Sequence, residues 1–533
     1  MSSQTTGAAP TAEHLIVAQH RLLVHAALIV ATLLPLLLVD IPALVDYPNH
    51  LARIHVISEI DADPALRSNY QVVWGAMPNL AMDLVILPFT GLLPVETLGR
   101  IFIAITMLLL VGGTLALHRI LQGGVGLWPV AVYLFVYNHL LIMGFLNYLF
   151  ASGLALALFA AWIASARWPD WIRWTIFPAA LAGLFFAHLF AVAVYGICVF
   201  GYELFRLGPL LRADWRATAR QGLVMAWQFV PTGLLVLGTM PEAAERSFLY
   251  GPFLAKVRAL WSPVLTYLRP IDVAVFVFAA AIPLAGLITG RMTLVRPLRL
   301  PLALLTVCAF AMPFWIQGTW GSVWYADLRL PIILALLLVA GLRPRNVAPR
   351  VVVTLVFAGF VLLIGRIVDI SQEWCRMDRD FAEFRTAARL IEPGASILPV
   401  QRRNVPLADG RTRFDYAYWH LPVLAVIDRA AFVPTLFTDP TKQPVRAAPG
   451  RQHIDTAFGA PIDVALLVRA AGGEYGDGPV SGGIAMQDFW TDWPHHFDYV
   501  LLTHFGAAGN PLPDLLTPAH EGSFFTIYRV VRQ

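Results

Sequence analysis

The sequence predicts a mainly α-helical, polytopic membrane protein of about eleven transmembrane helices, followed by a C-terminal α/β domain outside the bilayer. Three observations carry that expectation. Of the 533 residues, 58% are hydrophobic and 14% are charged, where soluble domains carry about 25% charged residues. The mean hydropathy is +0.66. The charges crowd toward one end: residues 366–533 hold 16 of the 38 basic and 19 of the 34 acidic side chains. The first two thirds therefore read as membrane and the last third as a soluble domain. An ordinary cytosolic enzyme is excluded.

The polar leader, residues 1–22, is expected to be cytoplasmic, with its first ten residues disordered. The apolar segment after it lacks a small-residue cleavage site, so it reads as a retained helix rather than a signal peptide. A bilayer core takes about 20 apolar residues in a helix. Such segments lie at 23–44, 101–117, 125–140, 148–165, 174–188, 190–205, 222–240, 272–290, 300–316, 330–342 and 351–366. A further stretch, 79–94, is short and carries Asp83, Pro88, Gly91 and Pro94. Arginine placement arbitrates, because inside loops collect Arg and Lys. With 79–94 at the interface, 14 loop arginines fall inside and 8 basic residues outside. If it spanned, the clusters at 206–220, 291–299 and 343–350 would face outward. The reading is therefore eleven spans over 23–366 in the inner (plasma) membrane, N-terminus inside and tail outside. The outer segments are then a long first loop, 45–99, a second, 241–271, and the tail, 367–533.

The tail reads as a periplasmic α/β domain. A helical pattern at 379–391 is followed by Pro-Gly and an apolar run, Ser396–Val400. Further apolar runs lie at 422–427, 430–437, 464–468, 498–503 and 524–531. Gly and Pro clusters near 404–412 and 472–483 read as loops.

Several chemistries are excluded at once. The basic residues are 36 Arg with Lys256 and Lys442, scattered without a run of five, so no nucleic-acid surface is expected. Cys198, Cys308 and Cys375 form neither a disulfide framework nor a metal set. There is no Gly-rich phosphate loop and no Gly-x-Ser-x-Gly elbow. The run Asp492-Trp493-Pro494-His495-His496 reads as a surface loop, since adjacent histidines point apart.

The densest polar cluster beside a span is Asp46-Tyr47-Pro48-Asn49-His50-Leu51-Ala52-Arg53. Pro48 suits the first turn of a helix, and His50 and Arg53, three apart, share its face. Asp46 lies just ahead of that helix, at the outer boundary. Its carboxyl is pulled two ways. The helix N-terminus and a nearby His50 or Arg53 lower its pKa, and burial raises it; an ionised group at neutral pH is expected. Other outward polar residues sit at helix ends: Asn147, His188, and the run Tyr325-Ala326-Asp327-Leu328-Arg329. The second loop adds Glu242, Glu245, Arg246, Lys256, Arg258 and Arg269. A cation here would hold a lipid phosphate through charge-assisted hydrogen bonds.

This layout resembles the GT-C superfamily of integral-membrane glycosyltransferases, which use polyprenyl-phosphate-linked sugars. The resemblance rests on the acid after the first span, the long first outer loop with a juxtamembrane helix, the outer-loop cations and the large C-terminal domain. It covers the whole chain as architecture, through short motifs. It implies that Asp46 is the catalytic base. His50, Arg53, Asn147, His188, Lys256, Arg258, Tyr325, Asp327 and Arg329 are then candidates for substrate binding, with Lys256, Arg258 and Arg329 on the phosphate and His188 as a helper. Asn147 stands where some members carry a second acid, a departure that weakens a second-carboxylate or metal role. The implied activity is inverting transfer from a polyprenyl-phosphate sugar to a glycan, lipid or protein hydroxyl, without a metal or other cofactor. A lipid-linked oligosaccharide ligase or polymerase is the neighbouring alternative. A secondary transporter would want a midplane site and repeated halves, and a scaffold would need neither Asp46 nor the cations.

Overall fold

The computed structural model describes residues 12–124, 126–210, 213–239, 247–318, 321–402, 415–456, 459–474, 489–506 and 509–532, with side chains from residue 23 onward. Glu242, Glu245 and Arg246, and most of the expected loops at 404–412 and 472–483, lie outside the described residues.

The chain is mostly helical, with a sheet-containing C-terminal region. In order, the helices are α1 (Ala12–Leu37), α2 (Tyr47–Glu59), α3 (Ala81–Ile86), α4 (Val95–Gln122), α5 (Leu146–Ala164), α6 (Asp170–Ala187), α7 (Leu189–Leu207), α8 (Trp215–Trp227) and α9 (Val230–Gly238). They continue as α10 (Phe253–Ala259), α11 (Arg269–Ile288), α12 (Arg299–Ala311), α13 (Arg329–Gly341), α14 (Pro349–Ala388), α15 (Leu424–Arg429) and α16 (Val464–Ala471). Among the described residues six helices are long and apolar enough to cross a membrane: α4, α5 with its extension to Arg167, α7, α8 with α9, α11 and α14. Leu23–Leu37, Trp128–Ile142 and α13 are apolar but shorter.

Local chemistry explains where the expected spans change shape. Residues 125–140 are not one α-helix: a 3₁₀ segment, Trp128–Phe135, gives way to the single turn His139–Ile142. Asn138 makes the break. Its Oδ1 accepts from the Leu141 N–H while its Nδ2 donates to the Phe135 and Val136 carbonyls, a local bonding pattern that competes with helix. The stretch 79–94 holds α3, six residues long, and a 3₁₀ turn, Leu87–Phe89; both fall far short of a span. The tightest crossing joins α4 and α5. A Cβ on Gly113 would stand 2.4 Å from the Gly153 carbonyl oxygen, and one on Gly153 would stand 2.6 Å from the Leu109 carbonyl carbon. Small residues allow the backbones this approach.

The last span and the tail's first helix are one element. α14 runs 40 residues, about 60 Å at 1.5 Å per residue, or roughly twice a bilayer core. Its first part exposes Val353, Phe357, Phe360 and Val361, whereas Leu363, Ile367, Ile370, Trp374, Met377, Phe381 and Phe384 form a buried stripe. Their alternating spacing of three and four is that of one helix face. The expected boundary at 366/367 thus falls inside a helix.

Of the tail's apolar runs, three become neighbouring strands: β2 (Ile397–Gln401), β5 (Tyr499–Thr503) and β7 (Phe525–Val530). The run 422–427 folds as a 3₁₀ turn plus α15. The run 464–468 becomes α16, capped by Asp463 onto the Ala465 N–H. The run 430–437 contributes an isolated bridge from Phe432 to Ser396. With β4 (Ile462–Asp463) and β6 (Leu516–Glu521) the sheet order is β6-β7-β5-β2-β4, antiparallel at the first two pairings and parallel at the last two. The first long loop docks on this domain: β1 (Tyr70–Val72) pairs antiparallel with β3 (Val445–Ala447), placing Tyr70 opposite Ala447. Helix α2 is consequently enclosed, with nine of its 13 residues buried.

Candidate functional site

Asp46 stands where the chain leaves the bundle and turns into α2. The Val45 N–H donates to the Ile142 carbonyl at 2.9 Å and the Asp46 N–H to the Met143 carbonyl at 3.2 Å. Gly144, at φ +82°, allows this contact: a Cβ there would stand 2.6 Å from the Asp46 nitrogen and 2.9 Å from the Asp46 Cβ. Asp46 is the N-cap of α2, yet its side chain makes no capping hydrogen bond. An N-cap aspartate ordinarily satisfies the first free N–H groups of its helix. Here the carboxylate faces elsewhere, with Oδ1 3.6 Å from Nε2 of His420. Burial lifts its pKa to about 7, opposed in part by the Arg329 guanidinium. The expectation of an ionised group at neutral pH is thus corrected to one only partly ionised there: desolvation outweighs the neighbouring cation. Arg329, not Arg53, is the cation that faces it.

Arg329 opens α13, and its side chain is buried. Nη1 lies 3.1 Å from Nε2 of His188 and Nη2 donates to the Trp324 carbonyl at 3.4 Å, while Nε has no partner among the described residues. The guanidinium carbon sits 4.8 Å from the Phe145 ring centre, 5.4 Å from Tyr148 and 5.7 Å from Phe190. Among the described residues no carboxylate lies within 4 Å of it. His188 caps α7, its Nδ1 accepting from the Phe190 N–H at 3.1 Å. That bond places the proton of a neutral ring on Nε2, so His188 and Arg329 both turn N–H groups toward one space. Two donors set 3.1 Å apart leave no room for an atom between them, so an acceptor oxygen placed beside both would satisfy the pair.

The C-terminal domain supplies a second cation. Lys442 donates to the Ser322 carbonyl and lies 3.5 Å from Asp439. Burial and the field of Arg329 lower its pKa. Tyr325, at φ +54°, is held in the left-handed region that bulky residues avoid. Its ring lies 5.0 Å from Phe314 and 6.4 Å from Phe145, within electrostatic reach of Asp46.

The structure thus brings Asp46, His50, His188, Tyr325 and Arg329 into one region and ties the other candidates elsewhere. Arg53 is spent on Asp83, with Nε and Nη2 donating to the two carboxylate oxygens at 2.7 and 2.6 Å and Nη1 to Gln443 Oε1 at 2.5 Å. Asn147 clamps the first loop: its Oδ1 accepts from the Met82 N–H at 2.9 Å and its Nδ2 donates to the Asn79 carbonyl at 2.6 Å. Lys256 and Asp327 form a buried pair at 2.8 Å, and Lys256 also donates to the Met312 carbonyl. Arg258, two positions on, is exposed. Lys442 and His420 escaped sequence reasoning because no local pattern marks them; Lys442 being one of two lysines was the sole available signal.

The arrangement sets one partly buried carboxylate of raised pKa near a buried guanidinium walled by aromatic rings. It can take a proton on one side and hold an anion on the other. Comparison of the chain with protein-family models, with curated proteins and with solved structures gives no match.

Proposed function

We propose that the chain is an inverting glycosyltransferase, moving a sugar from a polyprenyl-phosphate donor to an acceptor hydroxyl. The observation that carries this reading is the buried Arg329 guanidinium, which has no carboxylate partner among the described residues. A buried unpaired charge costs several kcal/mol, and a phosphate oxygen would relieve that cost through charge-assisted hydrogen bonds. Arg329 and Lys442 hold the donor phosphate, with the Nε2–H of His188 as a third donor. Asp46 accepts the proton of the acceptor hydroxyl as its oxygen bonds to the anomeric carbon from the opposite face. The bond from that carbon to the phosphate oxygen breaks, and its electron pair leaves with the polyprenyl phosphate, whose growing charge the two cations stabilise.

The test substitutes Arg329→Met and Lys442→Met, each close in volume. With polyprenyl-phosphate pentoses and hexoses as donors, Arg329→Met should lower release of polyprenyl phosphate roughly 10- to 100-fold, a contact to a charged group being worth about 1.5–3 kcal/mol. Its thermal stability should hold or rise, because no ion pair is lost. Unchanged turnover in both variants removes the phosphate from this pocket.

The same reading places the site at the outer membrane face. Adding α6, α12 and the three shorter apolar segments to the six long helices makes eleven crossings, with the N-terminus inside and the tail periplasmic. In a cysteine-free background, Glu474→Cys should react with an impermeant maleimide in intact spheroplasts. Labelling after lysis alone would invert the topology.

A further inference from the structure

We propose that the acceptor binds between α2 and the C-terminal domain, and that it is an uncharged polyhydroxylated molecule of the carbohydrate class. This rests on the reading of Asp46 as the base. In this layer the side-chain atoms Asn49 Nδ2, His50 Nδ1, His420 Nδ1 and Thr435 Oγ1 are buried without a hydrogen-bond partner among the described residues. Their residues are 0, 5, 3 and 0% exposed, in that order. Native interiors leave few such atoms, and each calls for an explanation.

The four belong to one place, gathered about Phe437. Its backbone N–H donates to Asn49 Oδ1 at 2.8 Å, fixing which end of that amide is left over. The His420 ring meets the Phe437 ring at 5.1 Å and the His50 ring meets it at 6.4 Å, both edge-on. Thr435 lies two residues before it. The position of Gly459 touches all three neighbours: a Cβ there would stand 2.9 Å from Phe437 Cε1, 3.0 Å from His420 Cε1 and 3.2 Å from the Thr435 carbonyl oxygen. The other face of His420 presents Nε2 to Asp46, 3.6 Å away, so the cluster adjoins the base.

The chemistry of the set selects its ligand. Nδ2 of an amide donates, an imidazole nitrogen donates or accepts, and a threonine hydroxyl does both. A hydroxyl group, donor and acceptor at once, answers each of them; a phosphate or carboxylate answers donors alone. The cluster carries no formal charge, since burial holds both imidazoles neutral, whereas the cations sit at Arg329 and Lys442. Several hydroxyls on a compact frame, with a C–H face against Phe437, describe a sugar. The layout thus separates an anionic donor end from a neutral acceptor end, with Asp46 between them.

Thr435→Val tests this with little structural confusion, because the hydroxyl it deletes bonds nothing among the described residues. The full-length protein in a non-glycosidic detergent is titrated, without donor, against the methyl pyranosides of glucose, galactose and mannose and a methyl arabinofuranoside, with binding read by saturation-transfer NMR. The wild type should bind at least one of them. Thr435→Val and His50→Gln should weaken that binding at least 5-fold, with the melting temperature of Thr435→Val unchanged or raised. No binding by the wild type, or equal binding by Thr435→Val and His50→Gln, overturns the subsite. Transfer at wild-type rate by Asp46→Asn removes the base while leaving the binding result to stand or fall by itself.

Discussion

Asp46→Asn should reduce turnover about 100-fold or more, the usual contribution of a positioned general base, while the protein folds and still binds donor. The carboxamide keeps the size of the side chain and loses its basicity. It removes no capping hydrogen bond, since the Asp46 side chain does not cap its helix. The pH profile supplies the second readout. With its pKa raised to about 7 by burial, Asp46 is protonated and idle at low pH and becomes active as pH rises. The wild-type kcat/KM should therefore climb through an acid limb centred near 7 rather than near 4, and level off above it. The residual activity of Asp46→Asn should lack that limb. Stability moves in the opposite sense. A carboxyl whose folded pKa exceeds its unfolded value destabilises the fold once pH passes the unfolded pKa, and most fully above the folded one. At pH 8 the variant should be no less stable than wild type. Near wild-type transfer would end this assignment.

Arg53→Ala should cost about 3–5 kcal/mol of stability, the usual penalty for breaking a buried ion pair and stranding one charge. Arg53 and Asp83 are both 0% exposed and share two hydrogen bonds. The third, to Gln443, fastens α2 to the C-terminal domain. Thermal unfolding in detergent should fall sharply for Arg53→Ala and for Asp83→Ala. The double variant Arg53→Met with Asp83→Leu should recover much of the loss, because it removes both charges from the interior together. If Arg53→Ala unfolds like wild type but loses donor binding, then Arg53 is a substrate residue and the ion pair is incidental.

Six of the eleven expected spans were legible as helices long and apolar enough to cross a membrane, because their signal is local. An apolar run such as 101–117 lies within α4 whatever packs beside it. The exceptions have local causes that outrank hydropathy, as Asn138 does in 125–140. In the tail, apolar runs of four to six residues did not distinguish strand from helix: 498–503 became β5 and 464–468 became α16, with Asp463 capping the latter. Short runs carry too few turns for periodicity to decide.

The sequence by itself determined the class of the molecule, a mostly helical chain with apolar helices of membrane length and a sheet-containing C-terminal region, and that 79–94 is too short to span; it also singled out Asp46 for attention, since Pro48 and the end of an apolar run mark it from neighbouring positions. Only the tertiary structure decided which cations remain free. Lys256 and Arg329 read alike as outer-face cations, yet folding brings Asp327 to 2.8 Å from Lys256 and no described carboxylate to within 4 Å of Arg329. It also brought Lys442 and His420 from the far end of the chain. Hydropathy and capping act over a few residues and are written in sequence order. The partner of a charge is whichever side chain the fold sets within a few ångströms of it, and that distance has no counterpart in the linear chain.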